Sequence, residues 1–294
     1  MKHFSIVVFL VFVISITGCG GKYSIHNNAT PNTQNQTTKY LDIHQQDNSG
    51  NSYRILNTEL DNTYYRNALG KSGAELKQAL HNIISEQTVL TYSETENALR
   101  DSDEDPNNPN NVLLLYAGRS VSKNPNRGHW NREHVWAQSH GDFGRSKGIG
   151  SDLHNLRTED IDVNNDRGRL DFDITETNIK EENKYPEDKA PDTYRDKDSW
   201  EPRDEVKGDV ARIILYMDTR YEANDGMDLK VVDQTVQSHS PEHGKLSTLL
   251  KWHEADPVDQ FEKKRNQIIY EKYQHNRNPF IDHPEWVKQI WGNQ

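Results

Sequence analysis

The 294-residue sequence has one cysteine, Cys19, and lacks any excess of basic residues. A single cysteine cannot form an internal disulfide, so a packed core must stabilise the fold and disulfide-rich scaffolds are excluded. Asp and Glu outnumber Lys and Arg by 46 to 35, and the formal net charge of −11 excludes a globally basic coat for polyanions. Any anionic ligand must therefore be met by a local site, against the field of the whole protein.

Hydrophobic residues are also scarce, at 32% of the chain, and the one long apolar run is Phe4–Ile16. A multi-pass membrane protein is excluded, because each span needs about 20 apolar residues. The chain nevertheless holds 6 Trp and 13 Tyr, which separates it from disordered sequences of low hydrophobicity. The sequence therefore predicts a globular domain.

Residues 1–18 are predicted to be a signal peptide. Lys2 precedes the apolar run, which is shorter than a transmembrane helix. The residues Ile-Thr-Gly-Cys that end at Cys19 resemble a bacterial lipobox, in which the cysteine is lipidated and becomes the first mature residue. An ordinary secretory signal with an incidental cysteine is the alternative. A lipid on Cys19 would be the protein's attachment to a membrane surface.

Residues 19–55 are predicted to form a flexible tether, because they are rich in Asn, Gln, Thr and Ser. Residues 56–294 show no long linker and no repeat, and are predicted to be one domain. Val112–Tyr116 is a short apolar run typical of a buried strand, whereas other segments show helical spacing. The predicted fold class is α+β, mostly helical with a small β-sheet. The predicted helices lie near residues 72–86, 93–99, 206–221, 246–250 and 257–269.

Charge is unevenly distributed along the predicted domain. Between Arg119 and Arg169 there are nine basic and seven acidic residues, with four histidines in addition. From Leu170 to Val210 there are seven basic and 14 acidic residues. The histidine-rich middle is therefore the segment best suited to meet a phosphate group.

Three aspartates at positions 101, 103 and 105 alternate as they do at the start of an EF-hand loop. Pro106 stands where that loop requires glycine. The pattern therefore predicts an acidic turn on the surface rather than a calcium loop.

The residues that could carry out a reaction lie in three neighbouring segments: Trp130–Ala137, Asp152–Arg157 and Asp160–Arg167. The first two are compatible with strands, a glycine-containing loop separates them, and the third can start a helix behind its acidic residues. That order is a ββα unit. Phosphodiester hydrolysis needs a base, which His134 could supply near neutral pH. It also needs a hard cation, for which Glu133 and Asn164 offer oxygen ligands.

These segments, and further motifs between about Asn57 and Gly292, resemble the endonuclease I family of secreted bacterial nucleases, which belong to the ββα-metal group. The motifs include Asn-Arg-Glu-His-Val-Trp-Ala from Asn131 and Val-Asn-Asn-Asp-Arg from Val163. The resemblance implies a ββα-metal nuclease core within residues 56–294. It also implies that His134 is the general base and that Glu133 and Asn164 bind the metal.

The family also uses an arginine in the loop after the base to stabilise the phosphate. That loop is reorganised here, and Arg145 or Lys147 is the candidate. Four further residues are expected to support the site: Arg132, His154, Asn155 and Arg167. For His154, a structural hydrogen-bonding role is an equal alternative. So few protein ligands suit Mg²⁺, which keeps several waters, and Mn²⁺ or Ca²⁺ would also be compatible.

The predicted function is that of a sugar-tolerant endonuclease that hydrolyses RNA and DNA without sequence specificity and leaves 5′-phosphate and 3′-hydroxyl ends. The protein is expected to be an extracellular monomer, either on the cell surface or released. The alternatives are another metal-dependent phosphohydrolase and a non-catalytic surface lipoprotein. A zinc site of His129, His134, His140 and His154 is a further alternative, although the chain has no His-Glu-x-x-His motif.

Overall fold

The computed structural model describes residues 59–175, 183–222, 226–236 and 239–292. The predicted signal peptide, Cys19 and the predicted tether lie outside the described residues. The described residues belong to one compact unit. Among them, no helix is both long and apolar enough to cross a membrane.

Helices supply most of the regular structure of the described residues. Their bounds are α1 (Gly73–Ile84), α2 (Tyr92–Ser102), α3 (Pro125–Gly128), α4 (Ile161–Arg167), α5 (Lys207–Arg220), α6 (Leu246–Ala255), α7 (Gln260–Ile268), α8 (Pro279–Asp282) and α9 (Glu285–Trp291). Every residue of α5 after Lys207 is buried, and its apolar side chains form the centre of the largest core cluster. Trp252, Trp286 and Trp291 belong to the same cluster.

The strands are short and form four small sheets rather than the one that the sequence predicts. Their bounds are β1 (Asn111–Leu113), β2 (Ser120–Ser122), β3 (Trp130–His134), β4 (Leu156–Asp160), β5 (Asp171–Phe172), β6 (Tyr194–Arg195), β7 (Ser199–Glu201), β8 (Lys230–Val231) and β9 (Glu242–His243). The sheets pair β1 with β2, β3 with β4, β7 with both β5 and β6, and β8 with β9. A mixed α+β fold is therefore confirmed.

The predicted order of strand, loop, strand and helix is present as β3, β4 and α4. Strands β3 and β4 are antiparallel, with Trp130 opposite Asp160 and His134 opposite Leu156. Asp160 ends β4 and also caps α4, because its carboxylate accepts the backbone N–H groups of Asp162 at 2.9 Å and Val163 at 3.3 Å. The chain therefore passes from strand to helix with no intervening loop.

The acidic surface turn predicted at residues 101–105 is wrong at Asp103 and Asp105. Their exposed fractions are 0% and 6%. The Nε of Arg265 donates to Asp103 at 2.7 Å, and the backbone N–H of Asn107 donates to Asp105 at 2.8 Å. Buried carboxylates are tolerated where such partners replace water.

Several predicted element boundaries also differ from the structure. The second strand of the ββα unit is Leu156–Asp160 rather than a strand within Asp152–Arg157, and the helix predicted near residues 246–250 continues to Ala255. Helix α2 begins at Tyr92 and runs to Ser102, beyond the predicted end at Leu99, and a capping box joins Thr91 to Glu94 at its start. The predicted strand Val112–Tyr116 is regular only as far as Leu113. Beyond it the residues stay buried, but the backbone N–H of Tyr116 donates to the side-chain carboxylate of Glu159 in β4 instead of to a backbone oxygen.

Candidate active site

A cavity of about 330 Å³ lies between the end of β3, the start of α2 and helix α4. Its lining includes Glu133, His134 and Asn164, the three residues to which the sequence assigns the chemistry. Tyr92, Arg132 and Arg145 line it as well. We refer to it below as the β3–α4 cavity.

Glu133 is 2% exposed and is held from its buried side. The hydroxyl of Tyr116 donates to its Oε1 at 2.8 Å, and Nη1 of Arg167 donates to the same oxygen at 3.1 Å. Burial raises the pKa of Glu133 to about 7, although Arg167 and Tyr116 both act to lower it. Both of these side-chain donors act on Oε1, which leaves Oε2 as the oxygen available to a ligand.

His134 is 6% exposed, and its Nε2 lies 3.0 Å from the carbonyl oxygen of Gly150. A carbonyl can only accept, so Nε2 carries the hydrogen and Nδ1 keeps the lone pair. Burial first, and then the charges of Arg132 and Arg145, lower the pKa of His134 to about 4, although the bond to the Gly150 oxygen acts to raise it. The imidazole is therefore neutral at pH 7 and able to accept a proton at Nδ1.

Asn164 lies in the second turn of α4 and is half-buried. Its Nδ2 donates to Oδ1 of Asn131 on β3 at 2.7 Å. This bond orients the side-chain amide and ties α4 to β3. It uses the nitrogen of the amide, so Oδ1 remains the atom of Asn164 that could bind a cation.

Arg167 is 0% exposed and occupies the last position of α4. Besides Glu133, its guanidinium donates to the backbone oxygens of His134 at 3.0 Å and Val135 at 2.7 Å. Arg167 therefore supports the site from inside the protein, through hydrogen bonds to Glu133 and to the backbone of β3 and the residue after it. The guanidinium cannot also contact a phosphate in solvent, as its charge alone would suggest.

Two more arginines border the cavity beside one aromatic ring. The guanidinium carbon of Arg132 lies 3.7 Å from the ring centre of Tyr92, and that of Arg145 lies 5.0 Å from it. Nη1 of Arg132 also donates to the backbone oxygen of Tyr92 at 2.6 Å. Arg145 is exposed, whereas Lys147 does not line the cavity. Arg145 is thus the freer cation at this edge.

His154 and Asn155 do not line the β3–α4 cavity. Asn155 continues the β3–β4 pairing past His134, since its side chain accepts from the Trp136 backbone N–H at 2.7 Å and donates to the Trp136 oxygen at 3.2 Å. The imidazole of His154 lies 4.7 Å from the Tyr216 ring, and its Nε2 is 3.3 Å from the Asn276 oxygen. Both positions are internal.

The four histidines considered as a zinc site do not converge. Among the described residues, the groups close enough to share an ion are His140 with Asp171 and His243, and His129 with Asp160 and Asp162. Neither group contains His134 or His154. The ring nitrogens of His140 each lie close to a backbone oxygen, of Glu242 at 2.7 Å and of Arg169 at 2.8 Å.

Several contributors to the site carry no recognisable signal in the sequence. Tyr116 lies in a segment that reads as a plain apolar run, and Gly150 acts through its backbone oxygen. Tyr92 is the first residue of α2, and the polar residues of that helix give no hint of a ring beside His134. Only the three-dimensional arrangement relates them to Glu133 and His134.

The Endonuclease I family model matches residues 72–285, and the chain belongs to this family. The protein is therefore a nuclease, as its sequence motifs predict. The chain is 59% identical to the extracellular ribonuclease of Bacillus subtilis (strain 168) over 233 residues, 78% of each chain. It is 58% identical to the extracellular ribonuclease of Bacillus amyloliquefaciens over the same length and shares. An extracellular deoxyribonuclease of Aeromonas hydrophila is 29% identical over 141 residues, 48% of this chain and 51% of that one.

Proposed function

We propose that the protein is a metal-dependent endonuclease that hydrolyses RNA and DNA without sequence specificity, and that β3, β4 and α4 form its ββα-metal core. The observation that carries this is the shared cavity of Glu133, His134 and Asn164. Two oxygen donors and one neutral imidazole are what metal-assisted phosphodiester hydrolysis requires. The names of the relatives support both nucleic acids as substrates.

Glu133 and Asn164 would hold the cation, and their atoms suit one such as Mg²⁺. A carboxylate and an amide oxygen are hard ligands, and two protein ligands leave room for the waters that Mg²⁺ retains. Mn²⁺ is compatible with the same oxygens, and Ca²⁺ is the third candidate. When bound, the cation supplies positive charge against the phosphate and the departing oxygen.

His134 acts as the general base in this proposal. Its Nδ1 accepts a proton from water, and that water attacks phosphorus in line with the leaving 3′ oxygen. The bond between the Nε2 hydrogen and the Gly150 oxygen holds the ring in the required tautomer. The products carry 5′-phosphate and 3′-hydroxyl ends, because the reaction makes no use of the 2′-hydroxyl.

Arg145 is the residue we assign to the phosphate. It is exposed and lines the cavity, and Tyr92 supports its guanidinium. Arg132 adds positive charge beside it, held by the Tyr92 backbone oxygen. Arg167, His154 and Asn155 support the site from inside the protein through the contacts described above.

We further propose an extracellular location and a monomeric state. The enzyme would be outside the cell, on its surface or released from it. This location follows from a signal peptide at residues 1–18, a lipid on Cys19, a tether over residues 19–55 and a nuclease domain over residues 56–294. The relatives named extracellular nucleases support this location.

The test is incubation of the protein with RNA, plasmid DNA and single-stranded DNA, with Mg²⁺ or with EDTA. Internal cleavage of all three polymers in Mg²⁺, and none in EDTA, is expected. The ends are then identified by labelling and by mass spectrometry. Products of RNA with 2′,3′-cyclic phosphates would refute the mechanism, and cleavage of mononucleotide esters alone would favour another phosphohydrolase.

A further inference from the structure

A buried chain of hydrogen bonds runs from Glu133 away from the cavity. Arg167 is its central member, with Nη1 on Glu133 and Nη2 at 3.3 Å from Nε2 of His243. The Nε of Arg167 has no hydrogen-bond partner. The guanidinium is therefore positioned by what its two terminal nitrogens contact, and His243 is one of those contacts.

The tautomer of His243 follows from the same contact. An arginine can only donate, so Nε2 of His243 accepts and the ring hydrogen sits on Nδ1. That nitrogen lies 3.0 Å from Oδ1 of Asp171 and 3.0 Å from the Gly244 oxygen. Asp171 is itself held by the backbone N–H groups of Gly244, at 3.0 Å, and Val236. Asp171, His243 and Arg167 are each 0% exposed.

We propose that His243 and Asp171 are positioning residues for the metal-binding carboxylate of Glu133, and that they act through Arg167. Asp171 orients His243, which gives Nη2 of Arg167 a second acceptor beside the Val135 oxygen and so helps to keep Nη1 on Oε1 of Glu133. Oε2 is then presented to the cation. The inference rests on the proposed function, because it assigns Glu133 to the metal. It links a segment more than 70 residues away in sequence to the site through three side chains.

A metal bound by His140, Asp171 and His243 is the competing interpretation of the same cluster, since their ligand atoms lie within 4.8 Å of one another. The hydrogen bonds already account for this proximity. Nδ1 of His243 is used by Asp171, and both ring nitrogens of His140 lie next to backbone oxygens. The guanidinium of Arg167 beside His243 also opposes a second cation there.

Two substitutions of His243 separate the contact with Arg167 from mere packing. In His243→Gln the side-chain oxygen reaches the place of Nε2 and can still accept from Arg167. In His243→Asn the shorter amide reaches the place of Nδ1, so the contact with Asp171 is kept, whereas Arg167 loses this acceptor and keeps only the Val135 oxygen on Nη2. Asp171→Asn replaces one of the two carboxylate oxygens by an NH2 group, which then faces the N–H groups of His243 and Gly244 or that of Val236. The loss of this acceptor frees His243 to move, so the variant is expected to act like His243→Asn.

The experiment measures Mn²⁺ binding to the full chain by isothermal titration calorimetry, with no nucleic acid present, together with thermal unfolding of each variant. His243→Asn and Asp171→Asn are expected to weaken Mn²⁺ binding by about 10-fold or more, as outer partners of metal ligands do. The Mn²⁺ affinity of His243→Gln is expected to stay within about threefold of the wild-type affinity. This change is smaller than the loss of about 10-fold or more expected for His243→Asn. His140→Gln is the matched control, because its ring lies 4.8 Å from His243 without touching Arg167.

Glu133→Gln makes the two levels of the proposal distinguishable. If the wild type binds one Mn²⁺ and Glu133→Gln does not, the proposed metal site stands. Unchanged Mn²⁺ affinity in His243→Asn would then overturn only the positioning role. The positioning role would also be overturned if His243→Gln, His243→Asn and His140→Gln all lost Mn²⁺ affinity in proportion to their melting temperatures. A second bound Mn²⁺ that disappears when His243 is replaced would overturn it as well. Equal Mn²⁺ binding by the wild type and Glu133→Gln would overturn both proposals.

Discussion

Asp103→Asn is expected to be among the most destabilising polar substitutions in the domain. The fully buried carboxylate accepts from Nε of Arg265 at 2.7 Å and lies 3.5 Å from Nε of Arg157. It also accepts from the backbone N–H of Thr158 at 2.7 Å, in β4 and directly opposite Arg132 of β3. The substitution therefore removes the negative charge beside the buried Arg265, leaves Arg157 with its ion pair to Asp209 at 3.1 Å, and weakens the strand pair that carries Glu133.

The magnitude follows from burial. Removing one partner of a buried ion pair costs about 3–5 kcal/mol, because the remaining charge is uncompensated. Glu104→Gln is the matched control, one residue further along. Its ion pairs with Lys123 at 2.6 Å and Lys264 at 3.2 Å are as numerous, but its side chain is 29% exposed. Partly exposed pairs contribute about 1 kcal/mol or less.

The assay is urea unfolding followed by tryptophan fluorescence, with free energies of unfolding extrapolated to zero urea. Burial acts to raise the pKa of Asp103, but Arg265 and Arg157 outweigh it and the net pKa is lowered. Stability from this group is therefore fully present above its unfolded pKa of about 3.9 and lost as pH falls through the lower folded value. Asp103→Asn should remove that part of the acid sensitivity. A loss of stability no larger than that of Glu104→Gln would refute the reasoning.

Three further outcomes are expected. Gly150→Ala should lower both kcat and the melting temperature. The new Cβ would lie 2.6 Å from the Gly144 oxygen and would displace the loop whose Gly150 oxygen orients His134. A kcat equal to that of the wild type would contradict this. At saturating Mg²⁺ the cleavage rate should be nearly constant from pH 6 to 8. Burial lowers the pKa of His134 to about 4, so the neutral, basic form of the imidazole prevails above that pH. A rate that rises with pH around 6.5, the ordinary pKa of histidine, would contradict this. The slope of log affinity for RNA against log salt should correspond to about 2–4 phosphates. Filter binding with Ca²⁺ across a salt series measures that slope, and eight or more contacts would refute a small local patch on a body of net charge −11.

Local sequence patterns were sufficient to predict the arrangement of β3, β4 and α4. The adjacent Glu133 and His134 end β3, and acidic residues mark where α4 begins. Glu133, His134 and Asn164 line one cavity. This part of the site depends on short-range geometry, which a sequence displays directly.

Long-range partners could not be predicted in the same way. Asp103 reads as an exposed acidic residue because nothing nearby shows that Arg265, 162 positions later, neutralises it. The contact between Arg167 and His243 spans 76 positions and depends on how β5 and β9 pack, and neither strand is longer than two residues. Hydrophobic periodicity does not encode such pairings, since it reports which face is buried and not what it meets.

Separation of the roles of His134 and Glu133 tests the central claim most directly. The measurement pairs RNA cleavage with Mn²⁺ binding for His134→Ala and Glu133→Ala, with unfolding curves to show that both variants are folded. His134→Ala is predicted to lose turnover by about 10²–10⁴-fold while it binds Mn²⁺ like the wild type, because the imidazole is the base and not a ligand. Glu133→Ala is predicted to lose Mn²⁺ affinity and to recover part of its activity at high Mg²⁺ or Mn²⁺. A His134→Ala variant that loses metal affinity as severely as Glu133→Ala, or that keeps its turnover, would contradict the account.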